Sequence, residues 1–208
     1  MVETWKRVLK LFLERTEDEC AKNNFNYILT GSGATALQGC QIYPNDIDIL
    51  TTTPEAVFYI AELLQEFELD KKPCNEFTDD WKSSTENRVY VINTDPKKDS
   101  WFIGRWVIDN FKLEVAFLSS QDSLKHSRIN NYIWENGPDM YPFLKIVDFE
   151  GFSIKVIPLE IQLSTNLFRK LDNRVEETIN VFQKSGYNDN LLQKALTEEQ
   201  YKEIKKKL

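Results

Sequence analysis

The sequence is poor in histidine, in cysteine and in long apolar runs. His126 is the only histidine among 208 residues, and no nucleophile motif lies beside it, so we expect it to be structural. Cys20, Cys40 and Cys74 are odd in number and lack metal-ligand spacing, which predicts free thiols. No apolar run approaches the roughly 20 residues that cross a bilayer, and residues 2–22 have the pattern of an amphipathic helix, not of a signal peptide. We therefore expect no membrane segment and a cytoplasmic protein.

Acidic residues outnumber basic residues in this sequence. The chain has 26 Lys and Arg against 33 Asp and Glu, a net charge of -7. Tight binding to long nucleic acids depends on clustered Lys and Arg, so an extended nucleic acid is not expected as a partner. The hydrophobic share of 41% fits an ordinary globular protein. The chain has no internal repeat and no low-complexity linker, and its length suits one domain with a small appendage.

The apolar pattern predicts helices first and last, with strands between them. Thr53 is expected to cap a helix that has Pro54 at its first position. Asp109 and Asn110 are expected to form a hairpin turn. The predicted strands cover residues 27–30, 46–51, 88–93, 101–109, 112–118, 143–147 and 152–157, with a short helix at 34–39. Strands that follow one another without helices indicate antiparallel or mixed pairing.

These patterns predict an α/β (α+β) fold with a mixed sheet and flanking helices. We expect a core over residues 1–157 and a C-terminal helical region over residues 158–208. In that region Gly186 is expected to end a helix, and residues 197–200 (TEEQ) to form a capping box.

Residues 27–50, YILTGSGATALQGCQIYPNDIDIL, place a glycine turn upstream of two aspartates. GSGATA formally matches a dinucleotide-binding fingerprint. Three features disfavour that match: the following helix is too short for a parallel crossover, the acids open their strand instead of ending it, and no further βα repeats follow. A glycine turn without a chemical role is the other alternative.

Asp46 and Asp48 are one residue apart on a predicted strand, so both side chains project to the same face. Two neighbouring carboxylates repel each other unless a proton or a cation lies between them. Oxygen ligands of this kind suit Mg²⁺ or Mn²⁺, which also bind substrate phosphates. The alternative is that Asn45 and Asp46 form a turn and that Asp48 is a solvated strand residue.

Gly31-Ser32, a short helix and loop, and then Asp46-Ile47-Asp48 together resemble the signature of the nucleotidyltransferase superfamily, which includes DNA polymerase β and the antibiotic nucleotidyltransferases. The resemblance implies that the turn at residues 31–33 (Gly31, Ser32 and Gly33) holds a triphosphate, by backbone N–H groups near a helix N-terminus and by the Ser32 hydroxyl. It implies that Asp46 and Asp48 are catalytic and ligate the metals.

The family pattern also expects a third acid on a later strand. Glu114 in FKLEVAFL is the candidate, although many relatives have Asp at this place. The resemblance implies that Glu114 ligates the metal nearer the acceptor or accepts the acceptor's proton. A solvated strand residue is the alternative.

Residues 157–182 resemble the helical region that follows the core in small-molecule nucleotidyltransferases, where basic residues often face the nucleotide. Lys170 and Arg174 are four apart and are expected to share a helical face and contact the triphosphate. Ordinary surface pairing, such as Arg174 with Glu177, is the alternative.

The expected function is therefore Mg²⁺-dependent transfer of a nucleoside monophosphate, AMP from ATP, to a hydroxyl of a small molecule. The resemblance implies an antibiotic acceptor such as a lincosamide or an aminoglycoside, and so antibiotic resistance. The acidic chain suits a cationic acceptor. One alternative is a nucleotidyltransferase that acts on protein or tRNA in a toxin–antitoxin system. Another is a non-catalytic nucleotide-binding module of the same fold.

Overall fold

The computed structural model describes residues 3–72, 81–93, 95, 99–130 and 133–208. The side chains of residues 126 and 128–130 are outside this description. The expectations for Cys74 and for the His126 side chain therefore fall outside the described residues. Cys20 and Cys40 are free and buried, as predicted. None of the helices in the described part of the chain is long and apolar enough to cross a bilayer.

The described residues form seven strands and eight α-helices. The strands are β1 (Tyr27–Thr30), β2 (Asp46–Thr51), β3 (Tyr90–Ile92), β4 (Ser100–Ile108), β5 (Phe111–Ser119), β6 (Lys145–Phe149) and β7 (Phe152–Val156). The helices are α1 (Thr4–Lys22), α2 (Gly31–Leu37), α3 (Pro54–Leu63), α4 (Gln121–Asn130), α5 (Leu159–Phe168), α6 (Asp172–Ser185), α7 (Asp189–Ala195) and α8 (Glu198–Lys205). Two short 3-10 helices cover Gln65–Phe67 and Pro138–Phe143.

The strands form one mixed sheet in the order β3-β4-β5-β2-β1-β7-β6. β2 pairs with β5, and β1 with β7, in parallel, and the other neighbours are antiparallel. The predicted mixed sheet with flanking helices is confirmed. Because β1 and β2 are antiparallel, the segment between them is not the crossover of a parallel βαβ unit, so the dinucleotide-binding alternative is wrong.

Side chains alternate between the two faces of this sheet, and each face buries a different cluster. Leu29, Ile47 and Leu113 belong to a cluster with α1 and α3. Ile28, Leu50 and Ala116 point the other way and pack with residues of α5 and α7. Asp46 and Asp48 alternate with Ile47 and Ile49, so the aspartates share the face that α5 and α7 cover.

Several predicted boundaries needed correction. α2 begins at Gly31, not at residue 34, because the positive φ of Gly31 (58°) lets the chain leave β1 and enter the helix without a linker. The sixth strand covers Lys145–Phe149 instead of 143–147, because Pro138–Phe143 is helical. Helix α4 was not predicted, since its sequence QDSLKHSRIN has few apolar residues to mark a buried face.

The local turn and cap predictions are confirmed. Asp109 and Asn110 have φ of 51° and 59° and connect β4 to β5, as a two-residue hairpin turn requires. The Thr53 side chain accepts from the backbone N–H of Ala56 at the start of α3. Thr197 and Gln200 form the capping box of α8.

The C-terminal region contains four helices. A third apolar cluster joins them, and α5 and α7 also pack on the sheet. Gly186, with φ of 80°, follows the end of α6 as predicted. α5 ends at Phe168 and α6 begins at Asp172, so the expectation that Lys170 and Arg174 share a helical face is wrong. Lys170 lies between the helices with φ of 56°, which interrupts the helical path. The division of the chain at residue 157 stays a prediction.

Candidate functional site

Four polar side chains form a row across the middle of the sheet. Asp48 on β2 is paired with Thr30 on β1 and with Glu114 on β5. Glu114 is in turn paired with Arg105 on β4. Paired residues on neighbouring strands project to the same face. Thr30, Asp48, Glu114 and Arg105 therefore lie side by side, and Asp46 lies two residues from Asp48 on the same face.

Burial and neighbouring charges change the ionisation of the Asp48 carboxyl. The pKa of the Asp48 carboxyl is raised to about 7, first by burial and then by the negative charges of Asp46 and Glu114. The positive charges of Arg174 and Arg105 act in the opposite direction. A further cation at this place would relieve the same repulsion, because an added positive charge favours the ionised carboxylate. The three predicted acids are thus neighbours on one face of the sheet.

Gly31 lies directly against the Asp48 carboxylate. A Cβ added at Gly31 would collide with Oδ2 of Asp48 and lie 3.2 Å from its Cγ. Gly31 also has a positive φ, so both the backbone conformation and the close approach require glycine here. The Gly31 carbonyl accepts a hydrogen bond from Nε2 of Gln162 at 3.0 Å, and the Thr35 hydroxyl donates to it at 2.9 Å. A residue of α5 therefore fixes the glycine turn beside the carboxylates.

Ser32 and Gly33 have different environments. Ser32 is 2% exposed, and its Oγ has no hydrogen-bond partner within the described structure. An unpaired buried hydroxyl is costly and is often explained by a ligand or water that it binds. Gly33 faces the apolar side: an added Cβ would lie 3.3 Å from Leu29 and 3.5 Å from Ile47. The absence of a side chain at Gly33 therefore allows α2 to pack closely on the sheet.

Arg105 was missed by the sequence analysis. Its Nε donates to Oε2 of Glu114 at 2.8 Å, and one terminal guanidinium nitrogen also contacts Oε2. The predicted hairpin could have revealed this ion pair, because counting paired residues outward from the turn at Asp109 and Asn110 places residue 105 opposite residue 114. The third acid is therefore an ion-pair partner in this structure.

These contacts limit how a metal can be bound. Among the residues that the structure describes, no three acidic, cysteine or histidine side chains form a cluster ready to enclose a metal ion. Asp46 and Asp48 with the unpaired Ser32 hydroxyl still fit a metal-bound polyphosphate, since Mg²⁺ binds through one or two carboxylates and substrate phosphates. The contacts of Arg105 with Glu114 are to Oε2, so a metal or a proton that Glu114 takes at this oxygen has to compete with the guanidinium.

The two predicted basic residues differ in position. The charge of Arg174 acts on Asp48, which places the guanidinium near the carboxylates. Lys170 is exposed, and its side chain has no ion pair with a described residue. Arg174 is also close to Glu135, which the sequence analysis did not single out.

The sequence matches no protein-family model and no curated protein sequence. The structure is similar to a crystal structure of a candidate nucleotidyltransferase from Thermotoga maritima, with a TM-score of 0.54 and 23% identity over 88% of this chain and 96% of that one. The chain therefore has a nucleotidyltransferase-like fold. A second crystal structure, of an antigenic nucleotidyltransferase-like protein from Paracoccidioides brasiliensis, aligns with a TM-score of 0.42 and 10% identity over 95% of each chain.

Proposed function

We propose that the protein is a Mg²⁺-dependent nucleotidyltransferase that transfers a nucleoside monophosphate, AMP from ATP, to a hydroxyl of a small molecule. Mn²⁺ is the alternative cation. The observation that supports this proposal is the meeting of the glycine turn and the carboxylates: Gly31 lies against Asp48, and the buried Ser32 hydroxyl beside it has no hydrogen-bond partner among the described residues. A polyphosphate would give the Ser32 hydroxyl a hydrogen-bond acceptor, and its cation would give the carboxylates a positive charge.

Each residue has a task in this proposal. Asp46 and Asp48 would hold the cation, and a bound cation would supply positive charge to the phosphates and to the attacking oxygen. The Ser32 hydroxyl and the N–H groups of the turn donate to the terminal phosphates. Arg174 contributes a further positive charge near the phosphates, and its guanidinium suits phosphate geometry.

The reaction makes one bond and breaks one bond at phosphorus. The acceptor hydroxyl oxygen bonds to the α-phosphorus, and the bond from this phosphorus to the bridging oxygen of pyrophosphate breaks. The hydroxyl proton leaves to a neighbouring carboxylate. Glu114 is that carboxylate in our proposal, and it can accept the proton at Oε1 while Arg105 donates to Oε2.

Triphosphate binding is the first test. We expect ATP to bind by isothermal titration calorimetry with Mg²⁺ and not with EDTA. Asp46→Asn combined with Asp48→Asn should abolish this Mg²⁺-dependent binding while the circular dichroism spectrum is unchanged. The matched control is Glu199→Gln with Glu203→Gln, which removes two exposed acids of α8 and should bind as the unmodified protein does. Equal binding by the Asp46/Asp48 variant would refute the site.

Pyrophosphate release is the second test, with panels of small hydroxyl compounds, including lincosamide and aminoglycoside antibiotics, and with tRNA and proteins. Release with a small molecule supports the proposed acceptor class, whereas release with tRNA or protein alone supports the toxin–antitoxin alternative. The ion pair of Arg105 with Glu114 favours one further candidate, a non-catalytic nucleotide-binding module. Mg²⁺-dependent ATP binding without release on any acceptor would support that candidate.

A further inference from the structure

Asn166, in the last turn of α5, carries a buried amide that bonds to nothing in the described part of the chain. The residue is 5% exposed, and its Nδ2 has no hydrogen-bond partner among the described residues. A buried donor without an acceptor is costly, because it has lost its hydrogen bonds to water. Such groups are few in folded proteins, and a bound ligand or ordered water often explains them. The Asn166 amide is therefore a donor that a ligand can use.

Helix α5 connects this amide to the glycine turn. Nε2 of Gln162 donates to the Gly31 carbonyl at 3.0 Å, and Oε1 of Gln162 accepts from the Thr35 hydroxyl at 3.0 Å. Asn166 follows Gln162 by four residues, so the two side chains share one face of the helix and are separated by about 6 Å along its axis. Asn166 therefore lies about one helical turn from the contact that holds the glycine turn.

The backbone also connects Asn166 to the cation of the site. The Leu171 N–H donates to the Asn166 carbonyl at 2.9 Å, and the Arg174 N–H donates to the Leu171 carbonyl at 2.9 Å. The end of α5 is thereby held against the start of α6, where the charge of Arg174 acts on Asp48. Asn166 thus lies between the residue that holds the glycine turn and the arginine whose charge reaches the carboxylates.

Two buried donors without partners therefore belong to the elements that form this site. One is the Ser32 hydroxyl at the start of α2, and the other is Nδ2 of Asn166 at the end of α5. A hydroxyl and an amide N–H both donate to phosphate oxygens, and a terminal phosphate offers three such oxygens. One phosphate group can therefore accept hydrogen bonds from both helices.

We propose that Asn166 is a specificity-determining residue: its Nδ2 donates to the terminal phosphate of a nucleoside triphosphate, and this contact distinguishes a triphosphate from a diphosphate. The inference rests on the proposed function and adds a residue of α5 to its nucleotide site. Ser32 donates to the same phosphate from α2. A nucleoside diphosphate lacks the third phosphate group and leaves the Asn166 amide without an acceptor, so it binds more weakly.

The test compares the binding of ATP and ADP, each titrated with Mg²⁺ into the full chain by isothermal titration calorimetry. We expect the unmodified protein to bind ATP at least tenfold more tightly than ADP. Asn166→Leu should weaken ATP binding at least tenfold, which is about 1.4 kcal/mol, and should change ADP binding less than twofold. Asn166→Asp keeps the shape of the side chain but replaces the donor with a negative charge, so it should weaken ATP binding at least as much.

Stability measured without nucleotide separates this role from a structural one. Asn166→Leu removes a buried donor that has no partner among the described residues, so the midpoint of urea unfolding should stay the same or rise. Gln162→Leu removes two hydrogen bonds to α2, so it should lower the midpoint and weaken ATP and ADP binding alike. Asn190→Leu, at an exposed position of α7, is the matched control and should bind both nucleotides normally.

Three results would overturn the proposal: unchanged ATP affinity in both Asn166 variants, an equal loss of ATP and ADP affinity in Asn166→Leu, or a lower urea midpoint in Asn166→Leu. The second result would move the contact to an inner phosphate or to the nucleoside, and the third would make Asn166 a structural residue. Failure of the proposed function is seen separately, as ATP binding that does not depend on Asp46 and Asp48.

Discussion

Arg105 and Glu114 are paired across neighbouring strands, and Nε of Arg105 lies 2.8 Å from Oε2 of Glu114. The Arg105 side chain is only 13% exposed, so the pair is partly shielded from water. This contact gives the third acid of the site a cation from the protein itself. In the proposed function Arg105 would compete with the cation for Glu114, and this competition can be measured.

Arg105→Met should lower the free energy of unfolding in EDTA by about 1 to 3 kcal/mol, because it leaves a carboxylate without its partner beside two other acids. Added Mg²⁺ should then raise the melting temperature more than in the unmodified protein. Arg88→Met is the control, since it breaks an ion pair with Glu68 of 2.9 Å. Equal Mg²⁺ responses in the Arg105 variant and the unmodified protein would show that Arg105 does not compete with the metal.

Ser32→Ala should weaken ATP binding without lowering the free energy of unfolding. The variant loses a buried hydroxyl that bonds to no group in the described part of the chain, so the free energy of unfolding should stay the same or rise slightly. ATP affinity should fall about tenfold, since a hydrogen bond to a charged group contributes roughly 1.5 to 3 kcal/mol. Thr35→Val is the control: its hydroxyl is bonded to the Gly31 carbonyl at 2.9 Å, so that variant should lose stability. Unchanged ATP affinity in Ser32→Ala would remove Ser32 from the site.

Gly31→Ala should lower the free energy of unfolding more than Gly186→Ala does. Both glycines have positive φ, which costs a non-glycine residue roughly 1 to 2 kcal/mol. An alanine at Gly186 meets open space, whereas at Gly31 its Cβ collides with the Asp48 carboxylate. Chemical unfolding should show the larger loss at Gly31, and calorimetry should show loss of ATP binding there alone. A similar loss of stability at both positions would contradict the close approach of Gly31 and Asp48.

Arg174→Ala and Lys170→Ala test the two predicted phosphate contacts. The Arg174 charge reaches Asp48, so its loss should weaken ATP binding about tenfold. The Lys170 side chain is exposed between α5 and α6, and its loss should change ATP affinity less than twofold, because exposed charges are screened. Calorimetric titration at two salt concentrations measures both. A larger effect at Lys170 would reverse this assignment.

Asp48→Asn should stabilise the metal-free protein in a pH-dependent way. The pKa of Asp48 in the folded protein, about 7, lies above the ordinary value of 3.8, so the folded state binds this proton more tightly than the unfolded state. The unmodified protein therefore loses stability as the pH rises from about 4 to 7. The advantage of the Asn variant should be small at pH 4 and on the order of 1 to 3 kcal/mol at pH 8. Urea unfolding in EDTA measures it, and an equal advantage at both pH values would disprove the shift.

Much of the fold could be predicted because its signals are local. The strand, glycine turn and aspartate pattern of residues 27–50 located β1 and β2, since side-chain alternation requires only a strand. The hairpin turn at Asp109 and Asn110, the Thr53 cap and the capping box at Thr197 depend on hydrogen bonds and φ values within a few residues. The weakly amphipathic α4 and the break at Lys170 carried no comparable local signal.

The sequence by itself determined the chemical types at the site: a glycine turn, a serine, two aspartates on one face and a third acid on a later strand. Only the tertiary structure decided which of these groups have hydrogen-bond or ion-pair partners in the protein. It paired Glu114 with Arg105, gave the Ser32 hydroxyl no partner within the described structure, and placed Glu135 beside α5. The physical reason is that a residue's type and its face follow from its neighbours in the chain, whereas its partners and burial follow from strand order and helix packing between distant segments.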